Sequence, residues 1–166
     1  MENSLVKSIL EICKMLNQHG VEYLIVGGTA VGFHGYYRGS TESDGTPLGK
    51  HDLDFWYNPT LENYYKLLDA FESLGIDVSK HRKGIAVPKQ SFFRYEFDEY
   101  KTDFLPMIKD LGNFYTSYQR KVAVNLHEVA ISIISFEDLL KTKETDSRDK
   151  DIDDIDQLKS GKQGPD

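Results

Sequence analysis

Tyr23-Leu24-Ile25-Val26-Gly27-Gly28-Thr29 is an apolar run that ends in a glycine pair, and Asp52-Leu53-Asp54-Phe55-Trp56-Tyr57 is a second extended run that opens with two acids. These two stretches decide the fold. Residues two apart in a strand point to the same side of the sheet. Asp52 and Asp54 therefore share one face, and Leu53 and Phe55 take the other. Like charges that close repel in a site of low effective dielectric, and a divalent cation is the usual reason to keep them together. A glycine turn beside them offers backbone N–H groups to a phosphate. The combination points to metal-assisted phosphoryl or nucleotidyl transfer.

Outward from these strands the chain alternates between helical and extended periodicity. Val6, Ile9, Leu10, Cys13 and Leu16 recur at helical spacing, which predicts a helix over 3–18 with Gly20 just past its end. Thr29 to Tyr36 begins a second helix. Pro59-Thr60 opens a third, running to Leu74, with Leu61, Tyr64, Tyr65, Leu68 and Phe71 as its buried stripe. Residues 39–50 form a polar, glycine-rich loop, and Val78 to Gln90 is basic and irregular. Phe92–Phe97 and Thr102–Met107 read as two strands joined by the acidic turn Asp98-Glu99, and 110–119 as a short helix. Val122–Leu126 and Val129–Ile134 close the sheet. Ser135-Phe136-Glu137-Asp138 is a capping-box-like helix start. Ile152, Ile155 and Leu158 lie on one face of a last helix over 149–159. The expected fold is α+β, a small mixed sheet with helices on one side. Residues 1–159 read as one domain and 160–166 as a flexible tail.

Two acids need a third to complete a two-cation site. Asp103 fits best, because an acid flanked by Phe104 and Leu105 in an apolar strand is costly unless something pairs with it. Asp98 and Glu99 fit less well in a hairpin turn. The plain alternative for Gly27 and Gly28 is a tight turn that needs positive φ; for Asp52 and Asp54 it is a solvated strand face, which the surrounding Leu53, Phe55, Trp56 and Tyr57 argue against. Two generic nucleotide motifs fail. Gly27 to Gly32 is not G-x-G-x-x-G, and in Gly45 to Lys50 only three residues separate the glycines and His51 follows the lysine.

The remaining composition sets limits. With 166 residues and 39% hydrophobic content the chain can bury a real core. A net charge of −7 argues against coating nucleic acid by bulk charge. The single Cys13 excludes an internal disulfide and reads as a core residue. His19, His81 and His127 share no ligand spacing, while His34 lies after the glycine turn and His51 beside the acid pair. The basic run 80–89 is either a solvated loop or a contact for phosphates, which Arg94 and Tyr95 would extend. No signal-peptide core or long apolar span occurs, so the expectation is a soluble, cytoplasmic protein with no membrane partner.

Gly27-Gly28-Thr29-Ala30-Val31, His34-Gly35-Tyr36, Arg38 and Asp52-Leu53-Asp54-Phe55 together resemble the nucleotidyltransferase fold superfamily, with its polymerase beta-like fold. Ser135 to Leu140, then Lys143, Arg148, Lys150-Asp151 and Asp154-Ile155, are similar to the C-terminal pattern of the small bacterial AbiEii type, associated with toxin–antitoxin systems. The likeness spans about residues 20–158, and it departs in the twelve residues, 39–50, between Arg38 and His51. The resemblance implies that Gly27, Gly28 and Thr29 hold a triphosphate. It implies that Asp52 and Asp54 bind Mg²⁺, with Mn²⁺ as a substitute, and that Asp103 completes the metal site and assists deprotonation of the attacking hydroxyl. Arg38, Lys143 and Arg148 would contact the nucleotide and neutralise phosphate charge. The implied activity is transfer of NMP from an NTP to a hydroxyl of protein or RNA, with an antitoxin protein as partner. The alternative is a catalytically silent module of the same fold that binds nucleotide or nucleic acid. A third reading, Asp52 and Asp54 as acid and base of a hydrolase, finds no sugar cleft in the sequence to support it.

Overall fold

The computed structural model of the chain describes residues 4–35 and 50–145, the last three of these by backbone alone. Arg38, Arg148, the loop 39–49, the expected helix 149–159 and the tail 160–166 lie outside the described residues, as does the side chain of Lys143.

Helix α1 (Ser4–Gln18) leads into strand β1 (Tyr23–Val26), and α2 (Gly27–Phe33) follows without a break. Strand β2 (His51–Tyr57) is followed by α3 (Leu61–Ser73), the five-residue α4 (Ser79–Lys83) and a single 3₁₀ turn at Pro88–Gln90. The hairpin β3 (Phe93–Glu96) and β4 (Tyr100–Leu105), α5 (Phe114–Gln119), the hairpin β5 (Val122–Leu126) and β6 (Val129–Ile133), and α6 (Phe136–Thr145) complete the order. The six strands form one sheet in the order β3-β4-β2-β1-β6-β5. Its pairings are mixed: β2 with β4 and β1 with β6 are parallel, and β1 with β2 and both hairpins are antiparallel. This is the expected α+β class.

One face of the sheet carries the core. Ile9, Ile12, Cys13 and Leu16 of α1 and Tyr64, Leu67, Leu68 and Phe71 of α3 are buried together with Ile25, Leu53 and Phe55. Phe55 and Phe104 stack at 4.7 Å between centroids, and Phe71 meets Phe104 edge-on at 5.0 Å. Both helices end as their sequences require: Gly20 and Gly75 adopt left-handed φ of 71° and 92° directly after them. Thr60 caps α3 by accepting from the Asn63 N–H at 3.1 Å. Burial lifts the Cys13 thiol to about 12, so it stays protonated in the core.

Three expectations need correction. Leu61 and Tyr65 are exposed: Tyr65 is turned away from the buried stripe of Tyr64, Leu67, Leu68 and Phe71, and Leu61, although in phase with it, is the first residue of the helix. Val78 to Gln90 is not wholly irregular: α4 forms there, and Arg82 ties it to Asp69 and Glu72 of α3 at 2.6 and 3.0 Å. Helices are not confined to one side. Phe114 of α5 packs edge-on against Trp56, which belongs to the opposite face from Phe55.

Candidate functional site

The second face of the sheet carries the acids. In a parallel ladder, directly paired residues project to the same side. Asp54 pairs with Asp103 and Asp52 with Lys101 across β2 and β4. The β3–β4 hairpin sets Arg94 against Asp103 and Glu96 against Lys101, and β1 sets Val26 against Asp54. One row across four strands therefore reads Arg94, Asp103, Asp54, Val26. The row on its N-terminal side along β2 reads Glu96, Lys101, Asp52. The row on the other side is apolar, with Leu105, Trp56 and Leu24. Asp52, Asp54 and Asp103 thus stand on one face, in adjacent positions.

The glycine turn closes on this group. Gly27 has φ of 71°, and a Cβ there would come within 2.6 Å of Asp54 Oδ2. Glycine is required twice over, for the backbone and for the room it leaves beside the carboxylate. Gly28 is exposed, and a Cβ there would meet nothing within 4 Å. Val26 at the N-cap offers no side-chain acceptor to the first-turn N–H groups of α2. Thr29 is partly buried in that turn.

Two cations sit on two of the three acids. Arg94 grips Asp103 with both arms of its guanidinium, Nε to Oδ1 at 2.8 Å and Nη2 to Oδ2 at 3.2 Å. Those bonds to Asp103, reinforced by the charges of Asp54 and Asp52, hold the Arg94 pKa above its ordinary value. Lys101 Nζ stands 3.6 Å from Asp52 Oδ1, and Lys50 pairs with Glu96 at 2.6 Å at the rim. The donor set fits a hard divalent cation in kind, since it consists of carboxylates on neighbouring positions beside a backbone cradle. The oxygens are not gathered: among the described residues no three His, Cys, Asp or Glu side chains converge as ligands of one ion. Arg94 and Lys101 hold the outer two carboxylates instead.

Other candidates fall elsewhere. His51 faces away from the acids and bonds to Ser4 Oγ at 2.9 Å, not to a carboxylate. His34 lies 2.7 Å from the Ile134 carbonyl, to which its Nε2–H donates, and meets Phe136 edge-on, so it joins α2 to the start of α6. Asp98 and Glu99 are exposed in the hairpin turn. The basic segment does not join the acidic face: His81 packs on Phe93, whose ring projects to the α3 side. Tyr95 does the same against Phe71, so only Arg94 of that pair reaches the acids. Its pairing was readable in principle. A hairpin closed at Phe97 and Tyr100, where the Phe97 N–H donates to the Tyr100 carbonyl at 2.8 Å, counts back to Arg94 opposite Asp103.

The acid of the capping box has a structural task. Ser135 Oγ accepts from the Asp138 N–H at 3.1 Å, and Arg120 Nη2 lies 2.8 and 2.9 Å from the two Asp138 oxygens. Burial pushes the Asp138 carboxyl up, but hydrogen bonds from Arg120 and Ser117 and the charges of Arg120 and Lys141 outweigh it and bring it below the ordinary value.

No protein-family model and no curated protein sequence matches the chain. Solved structures do. The lincosamide antibiotic adenylyltransferase LnuA with lincomycin bound aligns at a TM-score of 0.58 and 19% identity, over 93% of this chain and 96% of that one. A protein from Thermotoga maritima assigned as a nucleotidyltransferase aligns at 0.59 and 16%, over 94% and 92%. The antibiotic-resistance enzyme ANT(2″)-Ia in complex with adenylyl-2″-tobramycin aligns at 0.55 and 16%, over 98% and 91%. Likeness over nearly the whole of each chain establishes the architecture: the chain has the α+β nucleotidyltransferase fold.

Proposed function

We propose that the chain transfers a nucleoside monophosphate from an NTP to an acceptor hydroxyl and releases pyrophosphate. The observation that carries this reading is the pairing of Asp54 with Asp103, on the face that bears Asp52, beside a glycine whose Cβ would strike Asp54. Asp52, Asp54 and Asp103 would hold Mg²⁺, or Mn²⁺ in its place. The ion supplies charge neutralisation at the phosphates when bound. Asp103 would also assist deprotonation of the attacking hydroxyl. The N–H groups of Gly28 and Thr29, with Gly27 giving them room, would bind phosphate oxygens. Arg38, Lys143 and Arg148 would add positive charge from the segments that flank the site in sequence. Such transfers need in-line positioning and neutralisation more than covalent chemistry from the protein, which suits this face.

The acceptor belongs to one of two classes. The resemblance to the AbiEii type implies a hydroxyl on protein or RNA, a role as toxin and an antitoxin partner. The lincomycin and tobramycin named in the solved neighbours point to a small hydroxyl compound. Incubation with each α-³²P-NTP and Mg²⁺, against total RNA, cell protein and a panel of lincosamides and aminoglycosides, separates the two. Asp54→Ala and Asp103→Ala are each expected to lower label transfer by about a hundredfold or more. Undiminished transfer in Asp54→Ala would refute the site. Mg²⁺-dependent NTP binding with no transfer to any acceptor would instead favour the silent module.

A further inference from the structure

We propose that Arg94 occupies the cation's place on Asp103 and exchanges that carboxylate for a nucleotide phosphate when the divalent ion arrives. The inference rests on the metal–nucleotide reading above. It starts from the fork between Arg94 and Asp103, whose two bonds use both carboxylate oxygens. Each oxygen keeps a second lone pair, but the guanidinium fork fills the bidentate position and its positive charge opposes a cation beside the same carboxylate. The Arg94 side chain is 69% exposed and that of Asp103 28% exposed, so the guanidinium is the partner with room to leave. An exposed ion pair is weak enough to be broken by a bound divalent charge.

Its direction of departure is also set. Arg94 Cζ stands 5.2 Å from the centroid of the Phe92 ring, which keeps the guanidinium over the acidic face after Asp103 is released. From there it meets whatever anion the ion brings with it. Arginine suits this exchange because its fork matches phosphate as well as carboxylate. The acidic face is thus partly neutralised from within when no ligand is bound, and becomes a phosphate site as soon as a cation is present. Arg94 is a positioning residue in the first state and a substrate contact in the second.

Opposite effects on two ligands test this. Mn²⁺ binding to the full chain is followed by electron paramagnetic resonance, with the ion alone and with each α,β-methylene NTP. Arg94→Gln is expected to bind Mn²⁺ alone about fivefold more tightly than the wild type, the equivalent of one exposed ion pair removed. The same variant is expected to bind the Mn²⁺–NTP analogue about fivefold more weakly, because a charged phosphate contact is gone. Arg94→Lys keeps the charge without the fork, and should tighten the bare ion by about twofold while retaining nucleotide affinity. Circular dichroism melting checks that the variants are folded. Arg94→Gln binding bare Mn²⁺ no more tightly than the wild type, or the nucleotide complex no more weakly, overturns the exchange. Asp54→Asn identifies which reading has failed. If Mn²⁺ binding vanishes in Asp54→Asn but Arg94→Gln matches the wild type, only the exchange falls. If binding survives in Asp54→Asn, or is absent from every variant, the metal site falls and the exchange with it.

Discussion

Gly27 and Gly28 are chemically identical neighbours with different duties. Gly27 holds a φ of 71° and has Asp54 Oδ2 where its Cβ would be, whereas Gly28 faces open space. Gly27→Ala should therefore lose about 1–2 kcal/mol from the left-handed backbone alone, with the clash against Asp54 added to it. Gly28→Ala should leave folding stability within about 0.5 kcal/mol of the wild type. Urea denaturation of the two variants checks the contrast, and equal losses would contradict the geometry. If Gly28 lies under a triphosphate, its alanine variant weakens nucleotide binding while the melting curve stays put. Glycine pairs announce themselves in a sequence, but which member is sterically locked depends on the Asp54 carboxylate across the sheet.

Among the elements, α3 and α6 show how local signals and distant contacts divide the work. Thr60 and Ser135 are readable caps, and each accepts the N–H bond its position demands. Asn63, which the expected stripe of α3 does not include, is buried. Its side chain accepts from the Glu22 N–H at 2.8 Å and donates to the Glu22 and Asn58 carbonyls at 3.1 and 2.9 Å, which ties α3 to the ends of β1 and β2. No periodicity within the helix reveals that role. Asp138→Ala should destabilise the fold by about 2–3 kcal/mol, because it leaves Arg120 without its partner and removes a buried, fully bonded carboxylate. The pH dependence has a definite sign. A carboxyl held below its unfolded value contributes stability above that unfolded value and loses it as pH falls through the folded one. Acid titration of the wild type should accordingly show a loss of stability in the carboxyl range that is smaller in Asp138→Ala.

For the whole molecule, the strand order β3-β4-β2-β1-β6-β5 makes the candidate site. It seats β4 directly beside β2, so an acid 49 positions after Asp54 becomes its lateral neighbour. Among the described residues no helix is long and apolar enough to cross a membrane. A ligand that binds only the folded chain raises its melting temperature by mass action. Mg²⁺ with the cognate NTP at about a hundred times its dissociation constant should add about 2.7 kcal/mol, or roughly 5–10 °C for a domain of this size. The NTP without Mg²⁺ should add much less. A thermal shift with each nucleotide, with and without the ion, reads this directly, and a flat response to all of them would count against any nucleotide function.

The sequence by itself determined most of the described elements, α4 excepted, and the sidedness of the acid pair. Helical and strand periods are properties of a few consecutive residues, and Asp52 and Asp54 share a face in any strand. It also pointed to Asp103, because an acid amid Phe104 and Leu105 signals a partner. Only the tertiary structure decided that this partner is Arg94, that Lys101 sits on Asp52, and that the basic segment around His81 lies behind the sheet. Those facts depend on register between strands and on which helix covers which face. Both are set by hydrogen bonds and packing among residues far apart in the chain, which no local pattern encodes.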